Sequence, residues 1–568
     1  MKHPFQKLTT PFEEGHRSWS ETYPRPAMAR DSFFSLCGAW ELSAVKNGEE
    51  TFRSSVTVPF PPESRISGVE RALAKGERWL YRKTFTLPAD FCKARTLLHF
   101  GAVDQIAEVT LNGVSLGIHE GGYLPFSFDV TDALTAGENT LTVNVTDDTD
   151  TDLPYGKQRK KRGGMWYTPV SGIWQSVWME SVPADYVSDL EIRADLQTVT
   201  INTQGGTEEK TLSVTTPNGE IRYTYKGDSF TFTVEEPRHW SPEDPYLYCF
   251  TLQSGEDTLR SYFALRVITT EKIKGIPRLC LNGKPYFFHG LLDQGYFSDG
   301  IYLPASPEGY TFDIETAKKL GFNMLRKHIK IEPEEFYYQC DRLGMIVFQD
   351  MVNNGKYRYI RDTVLPTLGM KKRPFFRAGK KQRFHFEKTA KETIRLLQNH
   401  PSVCYYTVFN EGWGQYDGDR IYKELKALDP SRIWDATSGW FLGRESDVDS
   451  RHVYFRPFAV GKRGDKPVVL SEFGGYTCKL EEHSFNLNKT YGYKTYTDLP
   501  AFRAGLEQLY RQQILPGVKE GLCGTVLTQL TDVEDETNGL VTYDRRVVKV
   551  DPAAMSALGA DLQKELEA

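Results

Sequence analysis

Residues 313–350, DIETAKKLGFNMLRKHIKIEPEEFYYQCDRLGMIVFQD, decide the fold. Residues 313–321 carry a helical pattern that stops at a glycine, and residues 322–326 form a short strand-like run. Residues 334–343 read as a second helix stopped by Gly344, and residues 345–350 as the next strand. Helix and strand alternating at this interval imply parallel βαβ units. A strand-like run at 286–290 opens the series. The span 273–568 matches the size of one eight-stranded (β/α)8 TIM barrel, typically about 250 residues or more.

Two later strand-like runs end in a glutamate. Residues 404–408 lead into Phe409-Asn410-Glu411-Gly412-Trp413, and residues 467–470 lead into Ser471-Glu472-Phe473-Gly474-Gly475. Side chains at the C-terminal ends of barrel strands converge on one pocket. Two carboxyl groups placed there can divide acid and nucleophile roles across a glycosidic bond. Either glutamate alone reads equally as a buried ion-pair partner; together they point to a retaining glycosidase.

Ahead of the barrel the pattern is β throughout. Residues 1–183 hold short alternating runs at 81–87, 107–111 and 139–145, with Asn112-Gly113 as a tight hairpin signal. A two-sheet sandwich or jelly-roll β-sandwich fits that spacing. Residues 184–272 are shorter-stranded and more polar, with a turn at Asn218-Gly219, and suit an immunoglobulin-like β-sandwich.

The composition is that of an ordinary globular chain, 39% hydrophobic and 26% charged with a net charge of −5, and gives no reason to expect a nucleic-acid partner. Aromatics reach 13%, which suits either sugar stacking or β-rich domains. No run approaches membrane-spanning length, and the N-terminus lacks the apolar core of a secretory signal. The eight cysteines are scattered, several inside apolar runs, so they read as reduced core residues. The expected location is the cytoplasm. Between Lys371 and Arg383 stand seven Lys or Arg and no acid. This is either a solvated insertion or a cationic rim over the strand ends, the latter favouring an anionic sugar.

The chain resembles glycoside hydrolase family 2 along nearly its whole length. The likeness rests on GAWELS (38–43), YRKTF (81–85), VTLNG (109–113) and SGIWQSV (171–177) in the first domain. In the barrel it rests on GFNMLR (321–326), CDRLGM (340–345), HPSV (400–403) and SEFGG (471–475). The resemblance implies that Glu411 is the general acid/base and Glu472 the nucleophile. That division needs Glu411 to carry a proton in the resting enzyme. The resemblance further implies that Asn410 bonds the sugar 2-hydroxyl, that Arg326 orients the nucleophile, and that Tyr454 donates a hydrogen bond to it. For Arg326 a barrel-wall ion pair, and for Tyr454 a packed core position, are the alternatives.

Candidates for the sugar subsite are Asp293, Gln294, His328, Asp350, Trp413, Trp440, Gln529 and Asp532, all at strand ends. Trp413 and Trp440 read either as stacking platforms or as loop packing. The chain departs from the family in two places. Where many members carry Trp on the eighth strand, it offers Thr528 or Gln529. Where β-glucuronidases place an Asn-any-Lys motif just before the equivalent of Gly539, it reads Asp535-Glu536-Thr537-Asn538, which would repel a carboxylate. The basic run 157–162 reads as a pocket-edge or solvated loop, or as a localisation patch. Residues 532–536 lack the spacing of an EF-hand, and no metal or cofactor is expected.

The expected activity is therefore exo-acting, retaining β-glycoside hydrolysis of an oligosaccharide or small glycoside. A β-galactoside is the first choice, with β-glucuronide, β-mannoside or a pentopyranoside as alternatives. A non-catalytic carbohydrate-binding protein on the same scaffold, or an enzyme cutting inside a glycan, would be the rival readings. Homo-oligomerisation is possible on family grounds, though no residue demands it.

Overall fold

In the computed structural model, which describes residues 5–368, 370, 378–461 and 464–567, eight parallel strands form the sheet that positions the site. They are β1 (Phe288–Asp293), β2 (Met324–Lys327), β3 (Ile346–Asp350), β4 (Val403–Asn410), β5 (Ile433–Ser438), β6 (Asp449–Val453), β7 (Val468–Gly474) and β8 (Leu522–Thr528). Their order is β5-β4-β3-β2-β1-β8-β7-β6, and β5 packs against β6 at the seam of the barrel. The Asp447 N–H, just before β6, bonds the carbonyl of Trp434 in β5 at 2.9 Å.

Helix α1 (Glu308–Lys319) lies between β1 and β2, and α2 (Glu334–Leu343) between β2 and β3. The second matches the span read from the sequence, and Gly344 ends it in the left-handed region at φ 74°. The first starts five residues before Asp313, because Pro307 fixes the entry angle of the chain. The alternation lapses twice. Loops at 439–448 and 454–467 join β5, β6 and β7 with no helix among the described residues. Among the described residues no helix is long and apolar enough to cross a membrane.

The first sandwich pairs a six-stranded with a four-stranded antiparallel sheet. The Asn112-Gly113 hairpin is present, both residues in the left-handed region and Leu111 facing Val114 across the turn. The second sandwich is a three-stranded sheet against a four-stranded one. Arg30 ties the two together: its guanidinium donates to Glu180 at 3.0 Å and to both oxygens of Asp257 at 2.9 Å.

One loop of the first sandwich leaves it and crosses the barrel mouth. Within residues 147–171, the Tyr155 hydroxyl bonds the Gly355 carbonyl after β3 at 2.9 Å, and the Thr168 N–H bonds Glu534 after β8 at 2.9 Å. Trp166 packs edge-on against Trp413 after β4, ring centroids 5.2 Å apart. Gly156 makes the close approach possible: it sits at φ 60°, and a Cβ there would stand 2.6 Å from the Tyr123 hydroxyl and 3.0 Å from the Ile329 carbonyl. Gly156→Ala is expected to cost about 1–3 kcal/mol of stability. Urea unfolding would read that loss, and trypsin would cut faster at Arg159–Arg162 as the loop lifts away.

Candidate active site

The barrel interior is built in layers. Phe288, Leu292, Met324, Ile346 and Phe348 fill an apolar floor. Strand side chains alternate, so two residues past Met324 and Phe348 the next inward positions are Arg326 and Asp350. At that level the lining turns polar.

Arg326 is buried and uses its whole guanidinium fork. It donates to Asp350 at 3.0 Å, to the Ser471 carbonyl at 2.9 Å, to Glu472 at 3.0 Å, to Asn410 at 2.9 Å and to Ser438 at 3.0 Å. It therefore holds other site residues in place rather than facing the cavity. Burial would lower its pKa, but the charges of Asp350 and Glu472 outweigh that and raise it. Asp350 also accepts from His328 Nδ1 at 2.8 Å. Against burial, Arg326 and His328 pull its carboxyl down to about 2. Burial lowers the His328 pKa, against the hydrogen bond to Asp350, which raises it. Asn410 gives its oxygen to Arg326 and Ser438, leaving the amide nitrogen as its donor toward the cavity.

Glu472 lies on β7 where the register slips against both neighbours, a bulge that re-aims the side chain into the barrel. One oxygen accepts from Arg326 and the other from the Tyr454 hydroxyl at 2.6 Å. Burial pushes the Glu472 carboxyl up. The charges of His452, Arg326 and His328 and the Tyr454 hydrogen bond outweigh it and hold the group well below the usual carboxylate range. Glu411 follows β4 in the left-handed region, φ 52°, pinned by its N–H to the Ser438 carbonyl at 2.9 Å. Its carboxylate meets His452 Nδ1 at 2.9 Å, and the same nitrogen lies 3.5 Å from Glu472. One carboxylate oxygen of Glu411, one of Glu472 and His452 Nδ1 all fall within 4.8 Å of one another.

The sequence reading missed His452, although it lies two residues before Tyr454 and a strand turns such neighbours to the same side. It also missed Tyr493, which stacks on Tyr454 at 3.9 Å. Gly475, at φ 63°, leaves room for the Tyr493 ring, which a Cβ would meet at 2.3 Å. Tyr493 comes from an irregular loop after β7, where no periodicity marks it.

Other expected subsite residues fall elsewhere. Asp293 points outward with Lys327, which donates to it at 2.6 Å behind the β1–β2 wall. The alternation that aims Arg326 inward turns Lys327 and Asp293 out. Asp532 accepts from Lys549 at 2.7 Å and from the Gly539 N–H at 2.8 Å, so it belongs to a buried pair beneath the loop after β8. Trp413 is 3% exposed, donates its indole N–H to Gly355 at 2.9 Å, and packs among Tyr155, Trp166 and Tyr357. It is loop packing, not an open platform. Trp440 is half-buried and edge-on to His452, ring centroids 5.7 Å apart. Gln294 donates to Gln529 at 2.9 Å, and both are buried at the β1–β8 side.

The acids after β8 are turned toward the crossing loop. Arg162 pairs with Glu534 at 3.1 Å, Asn486 donates to Asp535 at 2.6 Å, and the Tyr167 hydroxyl bonds Glu536. Among the described residues the group able to hold a metal ion is Glu411, His452 and Glu472, and both Glu472 oxygens already have protein donors. Of the basic stretch 371–383, residues 371–377 lie outside the described residues. Lys381, in the helix beyond them, pairs with Asp150 at 2.7 Å.

Comparison with known proteins agrees with this architecture. The glycosyl hydrolase family 2 galactose-binding domain-like model matches residues 66–178, the glycosyl hydrolases family 2 model residues 181–266, and the family 2 TIM barrel domain model residues 272–457. A β-glucuronidase of Paenibacillus borealis is 24% identical over 458 residues, covering 72% of this chain and 73% of its own length. A β-galactosidase of Halalkalibacterium halodurans is 25% identical over 416 residues, 66% of this chain and only 38% of that longer protein. Among solved structures, a β-D-glucuronidase of Dictyoglomus thermophilum superposes with a TM-score of 0.73 at 19% identity, covering 95% of this chain and 98% of its own. The chain belongs to glycoside hydrolase family 2 and is a glycoside hydrolase.

Tyr454 can be tested without disturbing packing. Tyr454→Phe removes a donor to a charged acceptor, which is worth about 1.5–3 kcal/mol, or roughly 10–100-fold in kcat/KM. Because that bond helps keep Glu472 ionised, the acid limb of the pH–rate profile should move to higher pH.

Proposed function

We propose that the chain is a retaining exo-β-glycosidase in which Glu472 is the nucleophile and Glu411 the general acid/base. The observation that carries this reading is the approach of the two carboxylates to within 4.8 Å at one barrel mouth. Retaining pairs stand about 5–5.5 Å apart, whereas inverting pairs leave about 6.5–9.5 Å for a water. Exposure separates the roles. The Glu472 side chain is 7% exposed and doubly bonded, suiting a permanently ionised nucleophile; that of Glu411 is 21% exposed, suiting a group that trades protons with a leaving alcohol and then with water.

In the first step Glu472 attacks the anomeric carbon while Glu411 gives its proton to the departing oxygen. In the second, Glu411 takes a proton from water, which displaces Glu472 and releases the sugar. Arg326 and Tyr454 keep Glu472 oriented, and the Asn410 amide meets the 2-hydroxyl. The loop at 147–171 covers one side of the mouth, which favours removal of a terminal sugar over cleavage inside a chain. The relatives named β-glucuronidase and β-galactosidase support a glucuronide or a galactoside as the substrate, the latter being the first choice from sequence. Division of the chain at residues 183 and 272, and a cytoplasmic setting suited to eight unpaired cysteines, complete the proposal.

A 2-fluoro glycoside should label Glu472 covalently, as peptide mass spectrometry would show; a folded protein that binds sugar but never takes the label would be a lectin-like relative instead. Glu472→Gln should lower kcat by about 10⁴–10⁶-fold. Glu411→Gln should lower it by about 10²–10⁴-fold, less so with an activated nitrophenyl leaving group.

A further inference from the structure

We propose that Lys157, on the first-domain loop that crosses the barrel mouth, is the specificity residue for a negatively charged sugar, and that the terminal residue removed is a β-linked hexuronic acid. This rests on the glycosidase reading above and names its substrate class.

Most buried cations around the mouth are already paired. Arg326 is shared between Asp350 and Glu472, Lys327 between Asp293 and Glu332, and Lys330 is held by Glu332. Lys549 is held by Asp532, and Arg162 by Glu534. Lys157 differs: it is half-buried, yet among the described residues no carboxylate lies within ion-pair distance of its ammonium. A half-buried cation without a counter-ion is costly unless something negative arrives.

Its placement is fixed by backbone on both sides. Gly156 presses against Ile329, the residue after His328, and the Tyr167 N–H bonds the Lys157 carbonyl at 3.1 Å. The ammonium stands 5.9 Å over the Trp166 ring, which itself packs on Trp413 two residues past Glu411. Its charge is felt by His328 on the β2 side and by Glu536 on the β8 side, and Glu472 bears on both of those groups. The close approach of Gly156 to Ile329 after β2 and the packing of Trp166 on Trp413 after β4 thus set Lys157 over the barrel mouth.

The acidic run after β8 cancels this charge only in part. Glu534 and Asp535 have donors on the crossing loop and on Asn486. Burial pushes the Glu536 carboxyl up to about 7, so it is partly neutral at physiological pH, with Tyr167 donating to it. The lysine absent from the stretch before Gly539 is therefore supplied from another domain. A carboxylate at C5 of a hexuronic acid, held by Lys157, would place charge on charge where a neutral hydroxymethyl group would leave the ammonium unpaired.

The test compares kcat/KM for nitrophenyl β-D-glucuronide and β-D-galacturonide with the matching glucoside and galactoside. Wild type should favour a uronide over its neutral partner. In Lys157→Met the uronide-to-neutral ratio should fall about 100-fold, mainly through KM, as for loss of one partner of a desolvated charge pair. Lys157→Arg, which keeps the charge, should restore most of the ratio, and thermal melts would confirm that both variants fold. A wild type that prefers the neutral glycoside, or a ratio unmoved in Lys157→Met, overturns the assignment while leaving the glycosidase reading intact. If no glycoside is turned over and Glu472 takes no covalent label, the glycosidase reading falls and this one with it.

Discussion

The site depends on one buried guanidinium. Arg326 stands at the level where the barrel lining changes from apolar to polar, and its fork reaches four other strands, β3, β4, β5 and β7. A charge at that depth survives only because Asp350 and Glu472 neutralise it and because its remaining hydrogens find Asn410, Ser438 and a backbone carbonyl. The dependence runs the other way as well. Without Arg326, Asp350 and Glu472 would each lose a charged donor, a loss of about 3–5 kcal/mol by the usual cost of breaking such a pair. The same interaction that stabilises the upper barrel therefore keeps Glu472 ionised and aimed. Stability and chemistry share a residue here, which is why the surrounding backbone departs from regular form: a bulge at Glu472 and a left-handed residue at Glu411.

The mouth of the barrel is not completed by the barrel alone. The loop at 147–171 brings aromatic, basic and backbone donors from the first sandwich onto loops after β3, β4 and β8. Its acidic partners after β8 are expensive buried groups, and Glu534 and Glu536 take donors from a different domain. The sandwich thus acts as part of the active-site wall, and the interface is held by directional bonds as well as by the Trp166–Trp413 packing. A glycine without room for a Cβ sits at the point of closest approach.

Much of this was legible in the sequence, for identifiable reasons. The helix–glycine–strand rhythm of residues 313–350 announced parallel units because both helices end where a left-handed residue is required. The two strand-end glutamates could be paired because a parallel barrel sends such ends to one place. Inward or outward aim was less legible. Asp293 and Arg326 both lie at strand ends, and only the register of β1 against β2, with Asp293 opposite Lys327, shows that one turns away. Asp532 and Trp413 were misplaced for a similar reason, since a polar or aromatic residue beside the site can as well hold a loop as touch a ligand. His452 was within reach through its two-residue spacing from Tyr454. Tyr493 was not, because an irregular loop carries no period from which direction can be read, and for the basic run 157–162 the sequence left a pocket-edge and a solvated loop open.

The central claim is that the facing carboxylates of Glu411 and Glu472 perform a double displacement. Proton NMR of the sugar released in the first moments of hydrolysis tests it most directly, before mutarotation mixes the anomers. A β-glycoside that yields the β-anomer first is the result this geometry predicts; first release of the α-anomer would contradict it.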